Sequence, residues 1–297
     1  MVFNARAQLL TLSAGGRSSS MSMRPITGLI IAALIILAAS CGGGDDPPVS
    51  ATREASSPTG SPAPGEVRIT YYGHSMFTIE TPGGLTILTD PNDDIGYRAP
   101  SGEIDVVTVS HEHFDHNKTE VAPDARVLRG LTESGDWAEI DETIGDVRIR
   151  SARSFHDNAE GADRGKNTMF VFTVDDLLTI VHAGDVGDEP NPFAVQDPEL
   201  LGKIMDADVL LLPVGGHTTV GPEEADVIVE SLRPTLVIPM HYRTDFLKDF
   251  PDADQFTAVD DFTVGKTNVL RPRQNSVQVV PGPQEPTAIM VLEPQPE

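Results

Sequence analysis

The chain has 297 residues, which is enough for one large or two small domains, and its hydrophobic content of 39% can supply a buried core. Asp and Glu outnumber Lys and Arg by 45 to 21, giving a formal net charge of −24. Such a negative surface repels nucleic-acid phosphates, so the composition argues against a broad polynucleotide-binding surface and leaves small molecules as the expected partners.

The N-terminal segment has the pattern of an export signal. Before Ile26 it carries Arg6, Arg17 and Arg24 and no acidic residue, and an apolar run then extends from Ile26 to Ala39. This run is too short to span a bilayer comfortably, so residues 1–40 are predicted to be a signal peptide. The true start could also be Met21 or Met23, because the residues before them add nothing to the signal.

Cys41 is the only cysteine and directly follows the small residues Ala38-Ala39-Ser40. This arrangement resembles the bacterial lipobox, in which the thiol is lipidated and becomes the mature N-terminus, although Leu37 lies one position earlier than the usual leucine. The resemblance implies a protein anchored through Cys41 on the extracytoplasmic face of a membrane, and which membrane stays open. The alternative is an ordinary secretory signal with an incidental cysteine.

The remaining sequence divides into a linker, one domain and a tail. Residues 41–66 hold the cysteine and a Gly/Pro/Ser-rich stretch that cannot form a core, and this stretch is predicted to be a flexible tether. Residues 67–281 are predicted to form the folded domain, and residues 282–297 a Pro-rich irregular tail.

Short β-rich runs come first in the domain, and helices come later. Strands are predicted at 67–72, 76–80, 85–89, 104–109, 147–149, 169–174 and 177–181. Helices are predicted at 198–205 and 222–232, each followed by a strand, at 209–213 and 235–239. Strand-rich meanders followed by helix–strand units predict two sheets faced by helices.

The run from Ser110 to His116 is the strongest functional signal. It places His111, His113, Asp115 and His116 directly after a predicted buried strand, and it holds three of the eight histidines of the chain. Nitrogen and oxygen ligands around one point suit a pair of divalent cations, zinc first, with manganese or iron also compatible. A solvated polar loop is the alternative.

Three further candidates also follow strand-like runs, namely His156, Asp185 and His241. Residues at several strand-to-loop junctions can converge on one site at the edge of a sheet. The alternatives are an exposed loop histidine for His156, a turn or cap carboxylate for Asp185 and a core imidazole for His241. His182 lies within a predicted strand and is expected to be structural.

Four motifs follow one another along the chain: His-x-His-x-Asp-His, a lone His, Gly-Asp and a C-terminal His. This order makes the sequence similar to the metallo-β-lactamase-fold hydrolases. Its further motifs, Tyr72-Gly73-His74-Ser75, Thr89-Asp90-Pro91, Arg164-Gly165-Lys166-Asn167 and Leu212-Pro213-Val214-Gly215-Gly216, resemble the branch related to L-ascorbate-6-phosphate lactonase. The resemblance covers about residues 67 to 280. It implies an α/β fold, the four-layer αββα sandwich, with the site at one edge of the two sheets.

The resemblance also implies the ligand sets. His111, His113 and His156 would bind the first metal, Asp115, His116 and His241 the second, and Asp185 would bridge the two metals, with a hydroxide held between them. Such a pair of cations lowers the pKa of water and polarises a carbonyl or phosphoryl oxygen. Asp115 could additionally orient the hydroxide or shuttle its proton.

Several other residues have open roles. His74 and His217 lie in Gly-flanked loops and could contact substrate or protonate a leaving group, although relatives often have an aromatic residue at the position of His217. Asp188 stands where relatives often have a histidine. Arg164, Lys166 and Arg243 could bind an anionic substrate or form surface ion pairs.

Together these features predict a lipid-anchored, dinuclear metal-dependent hydrolase acting on a small ester, lactone, amide or phosphodiester. A true β-lactamase is disfavoured because one class uses a Cys ligand, whereas Cys41 lies in the export signal, and the other dinuclear class lacks an Asp at the position of Asp185. The nuclease branch has a large insertion, for which the segment between Asp185 and His241 is too short. The alternative is a non-catalytic metal-binding or scaffold protein that retains the fold, and the oligomeric state stays open.

Overall fold

The structure is a computed structural model that describes residues 61–93, 95–187, 198–247, 250–282 and 287–294. The predicted signal peptide, Cys41 and nearly all of the predicted tether lie outside these residues. In chain order the strands are β1 (Val67–Gly73), β2 (Met76–Glu80), β3 (Thr86–Thr89), β4 (Val106–Val109), β5 (Arg126–Arg129), β6 (Asp141–Ile144), β7 (Val147–Phe155), β8 (Lys166–Val174), β9 (Leu178–His182), β10 (Val209–Pro213), β11 (Leu236–Met240), β12 (Val269–Leu270), β13 (Ser276–Val279) and β14 (Ala288–Met290). The helices are α1 (Pro198–Met205), α2 (Pro222–Leu232) and α3 (Val259–Thr263), with 3₁₀ turns at Thr119–Val121 and Ala253–Gln255.

The strands form two mixed sheets. The first has the order β13-β1-β2-β3-β4-β5, and the second has the order β12-β14-β11-β10-β9-β8-β7-β6. In the first sheet β1 to β3 form the predicted antiparallel meander, and β4 and β5 continue it in parallel. In the second sheet β6 to β9 are antiparallel, whereas β9, β10 and β11 are parallel.

Alternation along the strands builds the core between the sheets. Ile69 and Tyr71 of β1 and Ile79 of β2 belong to the same buried cluster as Phe170 and Phe172 of β8. Because successive strand residues point to opposite faces, Met76, Leu88 and Val107 face the other side of the first sheet. There they pack against loop residues such as Tyr97 and Phe256, so in the described part of the chain loops and 3₁₀ turns form this outer layer.

The helices cover the second sheet. Ala225, Ile228 and Leu232 share one face of α2 at helical spacing and join the main buried cluster. Pro222 occupies the first turn of α2, where its missing N–H is not needed, and the Glu224 carboxylate accepts a hydrogen bond from the Gly221 N–H at 3.0 Å. Among the described residues, no helix is both long and apolar enough to cross a membrane.

Most predicted elements are present, and the differences have physical reasons. The prediction of an irregular tail over 282–297 is wrong in part, because Ala288–Met290 form β14 between β11 and β12, where Ile289 is buried. Strand β7 extends beyond its predicted end to Phe155. The prediction stopped early because alternating arginines such as Arg148 and Arg150 mask the apolar pattern. The edge strands β5 and β6 are not predicted from the sequence. Most of their side chains are exposed or half-buried, and half of them are charged, so the apolar pattern of a strand is weak.

Candidate metal centre

Four strand ends place the candidate ligands at one edge of the two sheets. Strand β4 leads into the loop from Ser110 to His116, and β7 is followed directly by His156. Strand β9 is followed by the turn that contains Asp185, and β11 by His241. The strand order of the second sheet brings β7, β9 and β11 onto one sheet, and β4 contributes from the facing sheet. The convergence predicted from the strand-to-loop junctions is therefore present in the structure.

Asp185 lies at the centre of this cluster. Its Oδ2 atom is 3.2 Å from His116 Nε2, 3.3 Å from His156 Nε2 and 3.1 Å from His241 Nε2. His111 Nε2 lies slightly further away, at 3.9 Å. All five side chains are almost completely buried. The carboxylate thus faces imidazoles that come from both predicted ligand sets.

The structure brings together the members of each predicted ligand set, and a further group of Asp90, His111 and His116 combines residues from both sets. His111, His113 and His156 offer ligand atoms that all lie within 4.8 Å of one another. Asp115, His116 and His241 form a second group within the same limit, and His74 joins it. His113 is the exposed member of the first set, whereas every member of the second set is buried.

Buried polar atoms without hydrogen-bond partners show whether this cluster of residues suits a metal ion. Within the described residues, the Nε2 atoms of His116, His156 and His241 and the Oδ1 atom of Asp185 have no hydrogen-bond partner. Buried polar atoms are rarely left unsatisfied, because the lost hydration is costly. Their grouping around one carboxylate, with only nitrogen and oxygen donors, fits divalent metal ions.

A hydrogen-bond network behind the ligands fixes their orientation. Asp90, at the end of β3, accepts the Ser110 N–H at 2.7 Å and the Ser110 hydroxyl at 2.6 Å, and it lies 2.9 Å from His116 Nδ1. The Ser110 Oγ lies 2.9 Å from His111 Nδ1. Both Nδ1 atoms are thus engaged as donors, so in the neutral rings each Nε2 carries a lone pair that can bind a metal ion beside Asp185.

The orienting roles of Asp90 and Ser110 are not predicted from the sequence, in which Asp90 stands out only as part of a family motif. The signal was available, because the runs at 85–89 and 104–109 were both predicted as strands and each is followed directly by a polar residue, Asp90 or Ser110. What could not be read was that β3 and β4 are parallel neighbours, with Thr89 opposite Thr108.

Burial and charge act together on the ionisation of the cluster. Burial works to raise the pKa of Asp185, but the imidazoles of His116 and His241 hold this pKa well below its usual value. Burial likewise works to lower the pKa of His116, and the carboxylates of Asp185 and Asp115 raise it well above its usual value. For His111, burial and the neighbouring His116 lower the pKa strongly. Both aspartates are therefore ionised in a buried, imidazole-rich centre.

His74, predicted as a catalytic candidate, belongs to the buried second group rather than to the open cleft. Its Nε2 lies 2.9 Å from Asp115 Oδ2, and its ring centroid is 3.8 Å from that of His241. Burial and the neighbouring His241 lower the pKa of His74 to about 4, so the ring is neutral near pH 7. The structure thus makes it a hydrogen-bond partner of Asp115.

His182 lies away from the ligand groups of the described chain. It is buried, its Nε2 is 2.9 Å from the Ser75 carbonyl, and it takes part in none of these groups. This geometry agrees with its predicted structural role. The hydrogen bond joins β9 of the second sheet to the β1–β2 turn of the first.

A cleft of ≈ 450 Å³ opens beside the candidate metal ligands His113, Asp115, His156 and Asp185. Its other walls are formed by Glu112, Phe114, Arg164, His217, Thr218, Phe250, Pro251 and Asp252. Phe114 is 55% exposed, and its ring stacks on that of Phe250 at 5.7 Å between centroids. His217, the other predicted catalytic candidate, is thus placed at the cleft but in neither ligand set. Asp188 lies outside the described residues.

Arg164, Lys166 and Arg243 are the candidates for binding an anionic substrate. Among them, Arg164 lines this cleft. Lys166 instead forms an ion pair with Asp136 and lies 4.6 Å from the centroid of Trp137. Arg243 Nη1 lies 3.5 Å from the Asp254 carbonyl oxygen and does not line the cleft. For Lys166 the structure therefore favours the surface ion pair.

Comparison with known proteins agrees with this geometry. Residues 68–241 match the beta-lactamase superfamily domain. A UPF0173 metal-dependent hydrolase of Myxococcus xanthus is 32% identical over 273 residues, covering 77% of this chain and 91% of that protein. A UPF0173 metal-dependent hydrolase of Pyrobaculum arsenaticum is 31% identical over 235 residues, covering 69% of this chain and 97% of that protein.

A solved structure is also similar. The crystal structure of a Thermotoga maritima protein of the metallo-beta-lactamase superfamily, for which zinc-dependent hydrolysis is proposed, is 31% identical. It superposes with a TM-score of 0.57 and covers 77% of this chain and 100% of that one.

The fold and the site together define a protein of the metallo-β-lactamase superfamily, and the predicted fold class is confirmed. Within that superfamily, the chain belongs to the UPF0173 family of metal-dependent hydrolases. The prediction of a metal-dependent hydrolase is likewise confirmed.

Proposed function

We propose that the protein is a dinuclear metal-dependent hydrolase acting on a small ester, lactone, amide or phosphodiester. The observation that carries this proposal is the position of Asp185 Oδ2. It lies 3.3 Å from His156 Nε2, which belongs to the first ligand set, and 3.1 Å from His241 Nε2, which belongs to the second. A single carboxylate within reach of both sets is the arrangement that two neighbouring cations require.

Zinc is the first candidate for both ions, and manganese or iron also suits the imidazole and carboxylate donors. Two bound divalent cations would lower the pKa of water and polarise the substrate's carbonyl or phosphoryl oxygen.

Asp115 is the candidate for proton transfer. Burial works to raise its pKa, but His116 and His74 hold this pKa below its usual value, so the carboxylate is ionised and can accept a hydrogen bond that orients the attacking water or passes on its proton. Its hydrogen bond with His74 Nε2 fixes the orientation of the carboxylate. His217, which also lines the cleft, is the candidate donor to the leaving group.

The size of the cleft supports a small substrate. A volume of ≈ 450 Å³ falls within the usual range for small-molecule sites, which is roughly 300–1,000 Å³. A lactone belongs in the substrate panel because the motifs around Gly73 and Gly215 resemble the lactonase branch.

Metal content and hydrolysis test the proposal when both are measured on one preparation. We expect about two equivalents of metal per chain by elemental analysis, and chelator-sensitive hydrolysis of bis-p-nitrophenyl phosphate or of a member of a lactone panel. Asp185→Asn should reduce the metal content to one equivalent or less and lower kcat/KM by about 100-fold or more, because the ligand shared by both ions is weakened.

His182→Gln is the matched control, because it replaces a buried histidine of the neighbouring strand that belongs to neither ligand set. This variant should keep its metal and its activity. One equivalent of metal in a fully active wild-type protein would contradict the dinuclear proposal. A protein that holds two metals and hydrolyses none of the panel would point instead to the non-catalytic alternative.

The proposal includes a lipid anchor, which the arginines, the apolar run and the lone Cys41 of the N-terminal sequence support. Expression in a bacterial host with a radiolabelled fatty acid should label the wild-type chain, and the chain should partition into detergent. Cys41→Ser should abolish the label and leave the protein in the aqueous phase. Labelling that persists in Cys41→Ser would contradict the anchor.

A further inference from the structure

Arg164 stands at the junction of two adjoining clefts. One contains the metal ligands, and the other, of ≈ 380 Å³, extends from His156 toward the start of α2. Both clefts are lined by His156, Arg164, His217 and Thr218. A substrate group that extends from the metal centre into the second cleft must therefore pass Arg164.

The loop that carries Arg164 is held by one carboxylate. Asp157, directly after the ligand His156, accepts the backbone N–H groups of Ala159 and Gly161 at 2.8 Å each, of Asp163 at 3.0 Å and of Arg164 at 2.7 Å. Arg164 is thus connected to the metal centre by a short and firmly hydrogen-bonded segment.

Within the described residues, no other side chain accepts a hydrogen bond from the guanidinium group of Arg164. Its Nη2 atom donates to the His217 carbonyl at 3.2 Å, and no carboxylate of the described chain forms an ion pair with it. Other exposed arginines differ in this respect, since Arg129 pairs with Glu112 at 2.8 Å and Arg153 with Glu139 at 2.7 Å. In so acidic a chain, an arginine that has no ion pair among the described residues and lies beside the candidate cleft is suited to bind an anion.

Acidic residues also line the second cleft, but not all of them would repel an anion bound to Arg164. The Asp157 carboxylate is occupied by the loop N–H groups, and the Glu224 carboxylate is occupied by the Gly221 N–H at 3.0 Å. The metal cleft is also lined by the stacked rings of Phe114 and Phe250. It thus offers both a cation and an aromatic surface to a substrate.

We propose that Arg164 determines specificity by binding an oxyanion of the substrate, a carboxylate or a phosphate, next to the bond that is hydrolysed. The guanidinium fork can donate two parallel hydrogen bonds to either group. Asp157 acts as a positioning residue through the loop that carries Arg164. This inference rests on the proposed function and narrows its substrate class to anionic esters, lactones or related compounds.

The test compares three lactones that differ only in a distal substituent, which is a hydroxyl, a carboxylate or a phosphate monoester. Full-length wild-type protein loaded with zinc is compared with Arg164→Gln, Arg164→Lys and Arg243→Gln. We expect Arg164→Gln to raise KM for an anionic lactone by about 10- to 100-fold, because a charge-assisted hydrogen bond is lost, with the neutral lactone changed less than about twofold. The anionic lactone that shows the larger effect identifies the anion as carboxylate or phosphate.

Arg164→Lys should recover part of the lost affinity, since it keeps the charge but not the fork. Arg243→Gln removes the same charge from a residue that lines neither cleft, and it should leave all three KM values unchanged. Equal losses for neutral and anionic lactones in Arg164→Gln, or no loss for either, would overturn the inference.

A binding measurement separates this inference from the proposed function. Calorimetric titration of the zinc-loaded proteins with inorganic phosphate needs no turnover, and Arg164→Gln should bind phosphate at least about tenfold more weakly than both wild type and Arg243→Gln. If no lactone is hydrolysed but this difference is found, the hydrolytic function fails while the anion site stands. Equal phosphate affinities in all variants would overturn the anion site even in an active enzyme.

Discussion

Three residues of the metal centre adopt left-handed backbone conformations that residues other than glycine seldom use. Asp90 has φ 37°, His74 has φ 56° and His241 has φ 52°. Each such conformation costs of order 1 kcal/mol or more, and it persists only where the surroundings over-determine it. Here the hydrogen bonds of Asp90 to Ser110 and His116 provide that support. Other left-handed residues of the described chain, such as Asp175 and Asp176, lie in a turn between strands, whereas Asp90, His74 and His241 belong to the candidate ligand groups or their hydrogen-bond network.

The role of Asp90 can be tested with Asp90→Asn. Asparagine tolerates the left-handed conformation and has the same size, so the variant removes a charge and one acceptor while the backbone can stay in place. We expect metal affinity to fall about 10- to 100-fold in a chelator competition assay, because His116 loses the carboxylate that orients it. Asp105→Asn is the control, since its Oδ2 accepts the Thr86 N–H at the other end of the same strands. Unchanged metal affinity in Asp90→Asn would contradict the orienting role.

At the scale of elements, the ligand loops pack against one another through glycines. A Cβ atom on Gly215 would lie 2.0 Å from the His241 carbonyl oxygen, so the loops after β10 and β11 could not approach as they do. Gly184 has φ +56°, and a Cβ there would lie 2.4 Å from Asn167 Oδ1 and 2.7 Å from Ser110 Cβ. Asp185 and His241 therefore reach the same centre because the residues packed beside them have no side chain.

Gly215→Ala should displace His241 without changing any ligand. We expect at least a tenfold loss of metal affinity and a loss of about 1–3 kcal/mol in the free energy of unfolding, because the clash involves backbone atoms that cannot rotate away. Gly202→Ala is the control, since a Cβ at this helical position meets nothing within 4 Å. It should keep the metal and raise stability by roughly 0.5–1 kcal/mol in a denaturant titration. Wild-type metal affinity in Gly215→Ala would show that the loop packing is not required.

At the scale of the molecule, the sequence predicts what depends on local pattern and misses what depends on partners distant in the chain. Helix α2 was predicted with its observed bounds because a proline and acidic residues mark its first turn. The two ligand sets were inferred from a family resemblance, and the structure brings their members together. Strand β14 was missed because a short apolar run between prolines acquires its structure only by pairing with β11 and β12. The interaction of Asp90 with His116 was not foreseen for the same reason, since it depends on the pairing of β3 with β4.

Metal loading should stabilise the whole domain, because the centre joins the two sheets. Without metal, the buried Nε2 atoms of His116, His156 and His241 lack partners. A ligand that binds only the folded state adds about 4 kcal/mol when its free concentration is 1,000 times its Kd, which corresponds to a rise in Tm of roughly 8–16 °C for a domain of this size. Differential scanning fluorimetry of chelator-treated protein, with and without added zinc, should show this rise.

The rise should shrink as the pH falls through the acidic range, since protons compete with the metal for the imidazole nitrogens. It should be largely absent in Asp185→Asn, in which the carboxylate facing both ligand sets is lost, and it should persist in His182→Gln, in which both sets are intact. An unchanged Tm for wild type at saturating zinc, manganese and iron would mean that the cluster does not join the two sheets through bound metal.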